Sequence, residues 1–256
     1  MDNTFRCRFY EIPVAEYIAD DLPADILDLN DESIDVHSGT MEVNFKRDVG
    51  QGRFKTAHPG SVKLDGGADL PPFTSGTVCV KQIYRQRTNG GGIARLPGRY
   101  ELGAFFGEAN RVRWASILLD MAYQFVMDEI TRRGEPNYRI PELRYTRSMV
   151  AIVQGTANEK AYLIEEWIHT DEGDSGTQFY KYIDNRTPTS ALPLSAPQEA
   201  CDIASFLLFT QHVQWEKTCR KAFVSDYQGA GRLLTDPQIT TNPCVLPLLC
   251  LFQRSY

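Results

Sequence analysis

Between Met41 and Tyr84 apolar and polar side chains alternate with a period of two. MEVNF, SVKL and TVCVKQIY are rich in Val and Thr and are parted by the glycine-bearing stretches GQG and DGG. That pattern predicts short antiparallel strands. RTNGGGIARLPG (87–98) predicts a turn-rich loop. From Asn110 the period lengthens. Trp114, Leu118, Met121 and Phe125 recur at steps of three and four through NRVRWASILLDMAYQFVMDEITRR (110–133), and Gly134 follows. This predicts one long amphipathic helix with a glycine stop. SMVAIVQG (148–155) and KAYLIEEWI (160–168) predict a buried hairpin, and TDEGDSG after them predicts a loop. Ser195-Ala-Pro-Gln198 has the spacing of a capping box, which would open a second helix running to about His212. KAFVSDYQG predicts a strand running into a loop that carries SDYQGAGRLLTDPQI (225–239). Residues 1–40 are acidic and weakly periodic, and predict a partly ordered arm. Strands, helix, hairpin, helix, strand and loop in that order predict an α+β fold in two lobes with a cleft between them.

Bulk properties narrow the function. The 256 residues are enough for one large domain or two lobes with a real core. A net charge of −6 argues against a nucleic-acid face, which needs a basic surface, but leaves a nucleotide open. No run nears the roughly 18 consecutive apolar residues of a membrane span. The first residues lack the apolar core of a signal peptide. Cys7, Cys79, Cys201, Cys219, Cys244 and Cys250 are scattered, and read as reduced thiols of a cytoplasmic protein.

Three stretches carry candidate chemistry. In TVCVKQIY the alternation sets Cys79, Lys81 and Ile83 on one face and Val78 and Val80 on the other. A lysine in such company either snorkels its ammonium to water or meets a buried anion. Upstream, GQGRFKTAH (50–58) puts Gly52 in a glycine turn with Arg53 and Lys55 after it. Glycines let backbone N–H groups approach an anion, and the cations neutralise it. The two acids near the end of AYLIEEWI are either a plain strand end or the lining of an adenine site. Asp226, Gln228 and Asp236 offer hard oxygen donors of the kind Mg²⁺ takes, and a carboxylate among them can orient or deprotonate a hydroxyl. The same residues also suit Asx and proline turns.

DYQGAGRLLTDPQI resembles the catalytic stretch of the alpha-kinases, D-x-Q-G-x-G-x-x-x-T-D-P-Q-I, at every fixed position. GRFKTAH resembles that family's phosphate-side glycine loop, with Lys55 where many members carry arginine. VCVKQIY resembles the strand of the nucleotide-gripping lysine. YLIEEWI and KYIDN resemble the hinge strand and the segment after it, commonly K-Y-N-x-N. The resemblance spans about residues 41–242 and implies a kinase-like fold with a mostly β N-lobe and an α+β C-lobe. It implies that Asp226 faces the substrate hydroxyl and that Gln228 and Asp236 hold Mg²⁺. Lys81 would contact the phosphates of ATP with Lys55 assisting, and Glu165, Glu166 and Trp167 would lie beside the adenine. The activity implied is transfer of the ATP γ-phosphoryl group to a serine or threonine hydroxyl of a protein. His212 takes the position of a family zinc ligand, but the late H-x-C-x-x-x-C cluster is missing, so zinc is doubtful. Residues 243–256, PCVLPLLCLFQRSY, read as a tail outside the family pattern, truncated or altered. The alternative is a pseudokinase that binds nucleotide or protein without turnover, its scaffold weakened by the lost zinc. Retention of Lys81 and Asp226 favours the kinase.

Overall fold

A computed structural model describes residues 3–14, 27–52, 54–86, 92–155, 160–170, 178–187 and 189–242. In chain order the elements are β1 (Asn3–Glu11), β2 (Val36–Val43), β3 (Gly50–Gln51), β4 (Lys55–Leu64), β5 (Val78–Gln86), β6 (Ile93–Arg95), α1 (Gly98–Arg133), β7 (Arg144–Tyr145), β8 (Ser148–Val153), β9 (Ala161–Glu166), β10 (Tyr180–Ile183), α2 (Gln198–Lys217), β11 (Ala222–Ala230) and β12 (Leu233–Thr241). The described residues fall into two compact units: 3–13, 27–109 and 146–167 in the first, and 14, 110–145 and 168–242 in the second. Among them no helix is long and apolar enough to cross a membrane.

The first unit is built on a closed ring of strands. β1, β2, β4, β5, β9 and β8 follow one another around it, each antiparallel to both neighbours. β3 pairs with β4, and β6 with β5. Alternation sorts the side chains. Phe9, Met41, Val62, Val78, Val80, Met149 and Ile164 make one core inside the ring. Tyr10, Ile83, Val150, Ile152 and Leu163 point the other way and pack with Phe105, Phe106 and Ala109 from the first turns of α1. The two faces expected for TVCVKQIY are therefore the two faces observed. The first residues, expected as an arm, form β1 between β2 and β8. Cys7 and Phe9 enter the inner core while Arg6 and Arg8 alternate outward. Residues 15–26 of that expected arm lie outside the described residues.

α1 starts twelve residues before the expected Asn110, at Gly98. Gly98, Gly103 and Gly107 are poor helix formers, but burial of Phe105, Phe106 and Ala109 outweighs propensity there. The glycine stop holds: Gly134 has φ +90° and donates its N–H to the Ile130 carbonyl at 2.7 Å. α2 corrects the capping-box expectation. It starts at Gln198, its N-cap is Pro197, and no side chain caps it. A residue before proline is pushed out of the helical region, so Ala196 cannot continue a helix begun at Ser195.

The second unit is a four-stranded sheet, β10-β11-β12-β7, antiparallel except for the β12–β7 pair. Leu118 and Met121 of α1 and Ile203 and Leu207 of α2 share a core with Val224, Tyr227 and Leu234 of the sheet. The stretch 225–239 is not a loop. All of it except the two-residue turn Gly231-Arg232 lies in β11 and β12.

Candidate active site

Lys81 stands opposite Ala57 of β4 and Leu163 of β9. It is 5% exposed, and its Nζ lies 2.7 Å from the Glu165 carboxylate, itself 2% exposed. Of the two possibilities for this lysine, a buried anion is the one realised. Glu165 pairs with Cys79, two residues along β5, so the register places acid and lysine on one face. Glu165 thus serves the lysine. Glu166 is tied to the Arg147 backbone, donating to its carbonyl at 3.0 Å and accepting from its N–H at 3.4 Å. Trp167 follows, half-buried. Lys55 shares the face of Lys81, and its Nζ lies 2.6 Å from Glu108 of α1. The Gly52 N–H donates to the Lys55 carbonyl at 2.8 Å, so the glycine turn uses that donor to close itself. Arg53 lies outside the described residues.

In the second unit the hairpin is bent at the chemistry. The β11–β12 register slips between Val224 and Asp226 and again between Asp226 and Gln228. Such bulges re-aim side chains. The second accommodates Pro237, which has no N–H to give the ladder, and holds Asp236 at φ +49°. A left-handed aspartate is uncommon and costs free energy, so it persists only where its surroundings enforce it. Gly229 is required where the strands meet: a Cβ there would sit 1.9 Å from the Leu233 carbonyl oxygen. Tyr227 anchors the strand from behind. Its hydroxyl lies 3.1 Å from Thr210 Oγ1 and accepts from Gln214 Nε2 at 3.0 Å, and Gln214 also accepts from the Val224 N–H at 2.9 Å. α2 thereby fixes the strand that presents Asp226 and Gln228.

Lys181 is the residue that sequence reasoning passed over. It pairs directly with Gln228 across β10–β11. Its Nζ donates to Asp226 Oδ2 at 2.7 Å and to Gln228 Oε1 at 3.3 Å. Asp226 Oδ1 faces the same ammonium at 2.5 Å but accepts no hydrogen bond from a described residue. Burial pushes the Asp226 carboxyl above the usual carboxylate range. The Lys181 ammonium opposes the shift, and the Asp236 and Asp184 carboxylates add to it. The signal lies in KYIDN, a strand-like segment whose lysine stands opposite Gln228 only once the strands are paired.

The structure thus gathers Asp226, Gln228, Asp236 and Lys181 in one unit, and Lys81, Glu165, Lys55 and Gly52 in the other. Among the described residues no three His, Cys, Asp or Glu side chains form a ready-made metal cage. The donor set nonetheless fits Mg²⁺. Asp236 and Gln228 would offer oxygens beside a carboxylate that burial and like charge disfavour, and this ion ordinarily draws the rest of its octahedron from water and phosphate. His212 is exposed on α2, and Cys244 and Cys250 lie outside the described residues.

The fold has known likenesses. One is the inactive alpha-kinase domain of myosin heavy chain kinase A in complex with ATP: 15% identity over 94% of this chain and 84% of that one, TM-score 0.54. The same kinase domain in complex with AMP-PNP aligns at 15% identity over 93% and 83%, TM-score 0.53. Its C-terminally truncated form aligns at 14% over 93% and 85%, TM-score 0.52. No curated protein matches the chain by sequence. The class is therefore that of alpha-kinase domains in fold. The profile of the alpha-kinase family matches residues 50–243, well over half of the chain. The chain belongs to the alpha-kinase family.

Proposed function

We propose that the protein is a cytoplasmic serine/threonine protein kinase that transfers the ATP γ-phosphoryl group to a protein hydroxyl. The observation that carries this is the Lys181–Asp226–Gln228 cluster on β10 and β11, beside the strained Asp236. The solved structures similar to this chain include kinase domains in complex with ATP and AMP-PNP, which supports the same nucleotide here.

Asp226 orients the attacking hydroxyl and accepts its proton, a role suited to a carboxyl whose pKa burial has raised. Lys181 holds that carboxylate and the Gln228 carboxamide in fixed relation. Lys81, kept in place by Glu165, offsets charge on the phosphates. Gln228 and Asp236 would hold Mg²⁺, which when bound neutralises phosphate charge. Glu165 and Glu166 end the strand along which the adenine would lie, and Trp167 follows it.

The test is transfer of labelled phosphate from ATP to a basic protein, with phosphoamino-acid analysis of the product. Wild type should label serine or threonine, while Asp226→Ala and Lys81→Ala should not. Equal labelling by all three would overturn the assignment. Binding of ATP without transfer by the wild type would identify a nucleotide-binding pseudokinase instead.

A further inference from the structure

The turn between β3 and β4 is tied down from two sides. On one side stands Tyr84 of β5, 4% exposed, whose hydroxyl donates to the Gly52 carbonyl. Gln51 Nε2 donates to that hydroxyl at 3.4 Å, and the Tyr84 N–H donates to the Phe54 carbonyl at 2.8 Å. On the other side Glu108 of α1 holds the Lys55 ammonium at 2.6 Å. Between these ties the turn closes on itself through the Gly52 N–H and the Lys55 carbonyl. A phenylalanine would fill the space of Tyr84 as well, so the hydroxyl marks a tie rather than a packing need.

We propose that Tyr84 and Glu108 form a clasp that fixes the glycine turn and aims Lys55 at the nucleotide phosphates. Neither touches the nucleotide; both are positioning residues. The proposal rests on the nucleotide role given above and adds the residues that set its phosphate side. An ammonium carries three donors and can bridge a carboxylate to a phosphate. A turn already ordered before binding avoids the entropy cost of being ordered by the ligand.

The experiment measures binding of a methylanthraniloyl-ATP probe to wild type, Tyr84→Phe, Glu108→Gln and the double variant. Melting temperature and amide exchange are followed without nucleotide. Tyr84→Phe should weaken binding about fivefold, the loss of one neutral hydrogen bond, and Glu108→Gln about tenfold, since a charged partner goes. Exchange should quicken at residues 50–56 and not in β1 or β8. The double variant should lose less than the product of the single losses, because both ties hold one turn. Equal or tighter binding by either single variant overturns the clasp and leaves the kinase assignment intact. Faster exchange throughout the ring also overturns it, since that is general destabilisation. A wild type that binds no probe overturns the nucleotide role and the clasp with it.

Discussion

Lys81 and Lys181 each meet a carboxylate on the neighbouring strand, one in each unit. In the first unit the match is one to one and buried at both ends, with Glu165 as the partner. In the second, one ammonium with a side chain 39% exposed answers Asp226, while Asp236 and Asp184 press on the same carboxyl. The first arrangement balances its charge when no ligand is bound, so it also braces the fold: remove one end and the other is stranded in the core. The second holds excess negative charge in a partly buried place. Such a cluster stays costly until more positive charge arrives, and a metal ion carried in with a nucleotide would supply it. Two lysine–carboxylate pairs of similar length can therefore weigh differently on the fold, and burial with local charge balance tells them apart.

Substitutions can break this contrast. The largest effect should come from Asp226→Asn, which should lower phosphoryl transfer about 10³-fold while leaving thermal stability level or raised. A neutral amide escapes both the burial cost and the repulsion from Asp236 and Asp184. A fall in melting temperature would mean that the carboxylate supports the fold. Next, Lys81→Met should cost about 3–5 kcal/mol in a urea titration, because Glu165 is left buried and unanswered. Adding Glu165→Leu should restore most of that loss, and no recovery would show that the pair is not the cause. Lys181→Met should cost less stability than Lys81→Met, about 1 kcal/mol, because the ammonium end is 39% exposed and the Asp226 carboxyl, its pKa already raised, can take up a proton, yet reduce transfer about 10²-fold by loosening Asp226 and Gln228. Comparable stability losses at Lys81 and Lys181 would erase the distinction. The smallest effect sharpens the contrast as a control. Gly103 lies in α1 with open space where a Cβ would be. Gly103→Ala should add about 0.4–1 kcal/mol with transfer unchanged, showing that stability alone does not set activity.

The parts legible in the sequence were those written in a local period or a contiguous motif. The alternation of TVCVKQIY gave the lysine its face, and the 3.6-residue stripe with Gly134 gave α1 its end. The anion for Lys81 is not legible locally, because Glu165 meets it through a pairing of β5 with β9, more than 80 residues on. Lys181 was hidden for the same reason: its task follows from standing opposite Gln228. The start of α1 was illegible because three glycines argue against a helix that only tertiary burial of Phe105 and Phe106 sustains. β1 carried a readable signal, Phe5, Cys7 and Phe9 alternating with Arg6 and Arg8, but the acidic residues downstream outweighed it.

A ring of strands has no first member. β1 comes first in the chain yet stands in the ring between β2 and β8, and the family match begins only at residue 50, after both β1 and β2 have passed. A fragment cut at that boundary would keep every motif and lose two of six staves. β4 and β8 would then show bare edges, which invite other chains to pair with them. Insolubility of such a fragment would report a topological wound rather than a chemical one. A peptide of residues 3–43, supplied separately, carries the two strands needed to close it.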